Sequence, residues 1–67
     1  MVKIKNNLKE IRMRIYMMSA TDFSKLLGEK LSTYSKWENG DSTPTLTRAY
    51  EIAKILNKKI TEIWLEE

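Results

Sequence analysis

The chain has 67 residues, room for one domain spanning 1–67 that buries only about 60% of the surface its unfolded form exposes. It contains no cysteine and no histidine, which excludes disulfide staples and thiolate zinc sites and removes two of the commonest catalytic side chains, so neither a metal nor a cofactor is expected. Twelve Lys and Arg against nine Asp and Glu leave a net charge of +3, a modest bias toward a polyanionic partner; no apolar run nears the roughly 20 residues that span a bilayer, and a soluble cytoplasmic protein without a membrane partner is expected.

Basic residues crowd the front, at Lys3, Lys5, Lys9, Arg12 and Arg14, while Glu62, Glu66 and Glu67 close the chain. Leu8, Ile11 and Ile15 fall at helical spacing, with Asn7 as N-cap and Glu10 as its capping partner, and predict a first helix from Asn7 to Tyr16. Ser19-Ala20-Thr21-Asp22 has the form of a capping box, followed by an apolar face of Phe23, Leu26 and Leu27 and a stop at Gly28. Leu31, Tyr34 and Trp37 then place one apolar stripe on a third helix of about two turns, ended by Asn39-Gly40. After the polar stretch around Pro44, Thr45 caps a fourth helix with a buried stripe of Leu46, Ala49, Ile52, Ala53 and Leu56, ended by Asn57. Ile60, Ile63, Trp64 and Leu65 predict a short fifth helix, fraying into an extended tail. No segment alternates long enough to support a strand, so the fold class is all-α, a bundle of five helices.

Two short helices joined by a tight glycine turn form a helix-turn-helix, whose second helix is presented to a DNA major groove. Tyr34 and Trp37 share the inward face of that helix; Ser32, Thr33, Ser35 and Lys36 take the other side and face DNA. Lys36 can donate to guanine O6 or N7 or to a phosphate, and the hydroxyls can meet phosphates or base edges. Residues 21–44, TDFSKLLGEKLSTYSKWENGDSTP, resemble the phage-repressor and Cro-type helix-turn-helix family, often called Xre-like. The hydroxyl cap Ser19, the apolar and small residues Phe23, Ser24 and Leu27, Gly28, and Trp37-Glu38-Asn39-Gly40 carry the resemblance, which extends to LKEIR at Leu8–Arg12 and AYEIAKIL at Ala49–Leu56.

The resemblance implies a compact lambda-repressor-like bundle, with the helix-turn-helix at about 19–38, helix two across the DNA backbone and helix three in the groove. It puts the first base-reading position at Leu31, which either touches a thymine methyl or is buried in place of the usual apolar residue, here Glu29. It implies phosphate contact at Asn39 and a pair between Arg12 and Glu38. The chain departs from the pattern at Ala20, where a phosphate-binding glutamine is usual and for which Thr21 or Lys25 can substitute. Lys30 replaces the usual hydroxyl cap of helix three, and the span from Arg12 to Ser19 is one residue longer, leaving the register of Met13–Met18 open.

The function implied is sequence-specific regulation of transcription, as a repressor of phage or mobile-element kind on a palindromic double-stranded operator. A single reading head argues for a homodimer. Ile60, Trp64 and Leu65 are the candidate dimer contact, with closure of the monomer core the other reading of Trp64. From a different class, an antitoxin-like protein-interaction module would use the same head to regulate itself. No glycine-rich phosphate loop or paired-carboxylate site points to an enzyme, no catalytic residue is assigned, and no small-molecule ligand is evident.

Overall fold

The computed structural model describes residues 3–67; Met1 and Val2, inside the expected domain span, lie outside the described residues. In chain order the elements are strand β1 (Ile4–Asn6), helix α1 (Leu8–Glu10) continuing as a π-helical segment (Ile11–Tyr16), α2 (Ala20–Leu26), α3 (Leu31–Asn39), α4 (Leu46–Ile55), α5 (Ile60–Ile63) and strand β2 (Trp64–Glu66). Counting the first helix as one continuous unit, five helices form among the described residues, as the periodicity predicts, and a small two-strand ribbon is added to them.

The helix ends follow local chemistry. Ser19 Oγ accepts the Asp22 N–H at 3.2 Å and Thr45 Oγ1 accepts the Arg48 N–H at 3.3 Å, satisfying first-turn donors of α2 and α4. Gly28 (φ 74°), Gly40 (φ 82°) and Asn57 (φ 54°) turn the chain left-handed after α2, α3 and α4. In each case the amide that follows bonds back into the last turn: Glu29 to the Ser24 carbonyl, Asp41 to Lys36 and Lys58 to Ala53, each at 2.9 Å.

The first helix departs from expectation at both ends. Asn7 makes no side-chain cap; its amide Nδ2 donates to the Glu62 carbonyl and its backbone N–H to that of Ile63, anchoring α5. Asn6 supplies the acceptor instead, its Oδ1 taking the Leu8 N–H at 3.1 Å. Further along, the residue in excess between Arg12 and Ser19 is absorbed as a π-helical turn closed by left-handed Met17, whose N–H bonds the Arg12 carbonyl. A π-helix bonds five residues back, not four. The inward position after Ile11 therefore falls on Tyr16, and Ile15, expected in the core, is 52% exposed.

The core gathers one face from each helix: Leu8 and Ile11, Phe23 and Leu27, Tyr34 and Trp37, Ile52 and Leu56, and Ile63. Tyr16 meets Phe23, and Phe23 meets Tyr34, each edge to face at 5.5 Å between ring centres. The small residue Ser24 is buried in α2, with its hydroxyl donating to the Thr21 carbonyl at 2.7 Å. Besides Ile15, two further expected core residues lie outside it. Leu26 is exposed on α2, and Leu46, at the first position of α4, is 71% exposed because its stripe does not turn under the bundle until Ala49.

No strand was expected, yet β1 pairs antiparallel with β2, setting Ile4 opposite Glu66, Lys5 opposite Leu65 and Asn6 opposite Trp64. Each strand is three residues long, too short for alternation to register in sequence. The expected fifth helix stops at Ile63, and the extended tail after it is one side of this ribbon. The pairing also sets the basic front beside the acidic end, so their separation in sequence is not a separation in space.

Candidate nucleic-acid interface

The helix-turn-helix is α2, the turn Leu27–Lys30 and α3. Tyr34 and Trp37 are buried, and their burial fixes which side of α3 faces outward. That side carries Leu31, Ser32, Lys36 and Asn39, all exposed, with Thr33 and Ser35 half-buried at its flanks. Ser32, Lys36 and Asn39 stand four and then three positions apart, one above the next along a single helix face. On α2, Thr21 and Lys25 are exposed at the same four-residue spacing. Lys30 begins α3 without a side-chain cap, leaving its first-turn amides without a side-chain acceptor.

Behind this face stands a polar cluster. Glu38 receives Arg12 Nη2 on Oε1 at 3.1 Å and Nε on Oε2 at 3.2 Å, a two-pronged pair whose side chains are only 13% and 12% exposed. The Tyr34 hydroxyl donates to the same carboxylate, and Arg12 Nη1 donates to the Met18 carbonyl at 3.0 Å. Burial alone would raise the Glu38 pKa; hydrogen bonds from Arg12 and Tyr34, then the charges of Arg12 and Lys9, outweigh it and hold the carboxyl below its ordinary value. The hydrogen bond to Glu38 raises Arg12, and burial followed by the bond to Glu38 raises Tyr34. Desolvation of both charges offsets much of their attraction, and the pair joins α3 to the first helix at two points.

The far end of α3 is tied down as well. Asn6 Nδ2 donates to the Trp37 carbonyl at 2.8 Å, so β1 is bonded directly to the last turn of the helix. Lys3, Lys5 and Asn6 line an open polar groove with Asn39–Thr43. At the near end, Arg48 on α4 bonds Glu29 and the Leu27 carbonyl at the turn. Sequence reasoning missed Asn6 and Arg48, since both act across long separations that leave no periodic trace.

Ile60 and Trp64, assigned to a dimer contact, line a shallow apolar groove of about 270 Å³ with Ile4, Pro44, Leu46 and Ala49. Leu65 is not with them. It stands opposite Lys5 on the other face of the ribbon, because successive strand residues alternate sides.

The family model for the helix-turn-helix, HTH_3, matches residues 8–63, from the first buried leucine of α1 to the last buried isoleucine of α5. No match is found among curated proteins. With the matched span covering every helix that builds and braces the turn, the chain belongs to the Xre and lambda-repressor-type helix-turn-helix family of DNA-binding transcription regulators.

Proposed function

We propose that the protein is a sequence-specific repressor that occupies a two-fold symmetric operator as a homodimer, its 67 residues acting as one reading domain in the cytoplasm. The observation that carries this reading is the division of α3: two buried rings on one side, and on the other an exposed row of Ser32, Lys36 and Asn39 that rigid packing holds in place. Lys36 suits guanine O6 and N7, Ser32 and the partly covered Thr33 and Ser35 suit phosphates or base edges, and Asn39 suits phosphate. Leu31, 43% exposed, offers an apolar contact to a thymine methyl. Thr21 and Lys25 take the phosphate position that Ala20 leaves empty.

Size argues for the second copy. The molecule measures 33 × 23 × 22 Å, so one copy extends over about one 34 Å turn of B-DNA and presents one reading helix to one groove. The groove of Ile4, Leu46, Ile60 and Trp64 supplies an apolar surface that a second copy would cover, with Leu65 left out and Ile4 and Leu46 brought in. Occupying an operator needs no chemistry, in keeping with a binding module and not an enzyme. Selection of bound duplexes from a random pool tests the reading: a consensus of two inverted half-sites about one helical turn apart is expected, and failure to enrich any sequence would defeat it.

A further inference from the structure

The turn between α2 and α3 is gripped by a side chain from outside the motif. Arg48, in the first turn of α4, donates from Nε to Glu29 Oε1 at 2.6 Å and from Nη2 to the Leu27 carbonyl. Its Nη1 lies 3.8 Å from Glu51 Oε1. Leu27 is the last residue before left-handed Gly28 and Glu29 the first after it, so one guanidinium holds both sides of the residue that sets the bend. Arg48 and Glu29 are 24% and 21% exposed, which makes this a largely desolvated, two-point contact and not a solvated surface pair. Glu29 also stands where the resembled family places an apolar residue, and in this chain a charge-assisted contact occupies that position.

We propose that Arg48 and Glu29 form a polar latch that fixes the angle between α2 and α3, making both of them positioning residues for DNA reading that touch no DNA themselves. The inference rests on the DNA-reading role proposed above. Only four residues join the two helices, and if the turn populates several bends, apparent affinity falls by the fraction of molecules in the binding-competent one. The buried rings of α3 keep the helix in the bundle when the latch opens, so the loss should fall on recognition before it falls on folding. A planar fork can hold two acceptors at fixed angles, which an ammonium cannot do.

The test compares Glu29→Gln, Arg48→Gln, their combination and Arg48→Lys, using the duplex that the parent selects from a random pool. Each glutamine variant should bind about tenfold more weakly, equivalent to about 1.4 kcal/mol. The combination should lose no more than either alone, because both break one contact. Amide exchange at Gly28 and at residue 29 should quicken in every variant, Arg48→Lys included, while melting stays cooperative. The sign for Glu29→Gln is decisive: simple electrostatics makes removal of a negative charge near DNA improve binding. Binding equal to or tighter than the parent's, additive losses, or unchanged exchange would overturn the latch. If the parent selects no duplex, the DNA reading fails, and the exchange rates still decide whether Arg48 holds the turn. Should a glutamine variant not fold, Arg48→Lys, which keeps the charge and loses the fork, decides by the same two readouts.

Discussion

Glu38 accepts hydrogen bonds from Arg12 on the first helix and from Tyr34 one turn back on α3, so protonating this carboxylate loosens the reading helix from its support. Its pKa is depressed in the folded state against about 4.3 in the unfolded chain. The unfolded state therefore takes up the proton first as pH falls. The stabilisation is complete above the unfolded value and is lost as pH drops through the folded one. Urea midpoints measured against pH should fall in acid for the parent, and more shallowly for Glu38→Gln; parallel acid limbs would remove Glu38 from the account. Lys36 is a different kind of residue, exposed and held only by the helix that carries it. Lys36→Ala should cost about 1–3 kcal/mol on the selected duplex and little on random DNA by titration, whereas equal losses on both would assign it to phosphate.

Among the elements, the turn after α2 and the end of α3 are where backbone conformation limits substitution. A Cβ on Gly28 would meet nothing closer than Arg48 Nη2 at 3.5 Å, an ordinary contact, so space is not the obstacle. The obstacle is φ at 74°, which costs an L-residue about 1–2 kcal/mol. Gly28→Ala should lower stability by about that amount in thermal denaturation, and Gly40→Ala, with nothing within 4 Å and φ at 82°, by a similar amount. A much larger loss at Gly28 alone would mean that the Arg48 contact has no room to adjust. The α2–turn–α3 unit was readable in sequence because its determinants are local: a serine cap, a glycine, and aromatic residues three apart. Fold class and helix order followed from the same periods. The π-helical turn was visible only as a spacing one residue too long, and its consequence, Tyr16 inward and Ile15 outward, depends on a hydrogen-bond pattern that the composition does not reveal. The ribbon and the Arg48–Glu29 contact join distant parts of the chain. Leu46 was misjudged because helical periodicity gives a stripe and does not say where along it the neighbouring helix begins.

At the scale of the whole molecule, the ribbon, α5 and the start of α4 bound the apolar groove, and the proposed partner surface lies along the edge of the core, against which Ile60 and Trp64 pack. Ile60 and Trp64 are half-buried there, while neighbouring Ile63 is fully buried. Ile60→Lys with Trp64→Lys should accordingly give a folded monomer by sedimentation and circular dichroism, with much weaker operator binding. A parent that stays monomeric on DNA would remove the dimer, and an unfolded double variant would return Trp64 to the monomer core. The central claim, that DNA is met by the outer face of α3, is tested most directly by following backbone amide resonances while the selected duplex is added. The largest shifts are predicted at Leu31, Ser32, Lys36 and Asn39, with a second group at Thr21 and Lys25. Shifts confined to α5 and β2, with α3 unmoved, would contradict it.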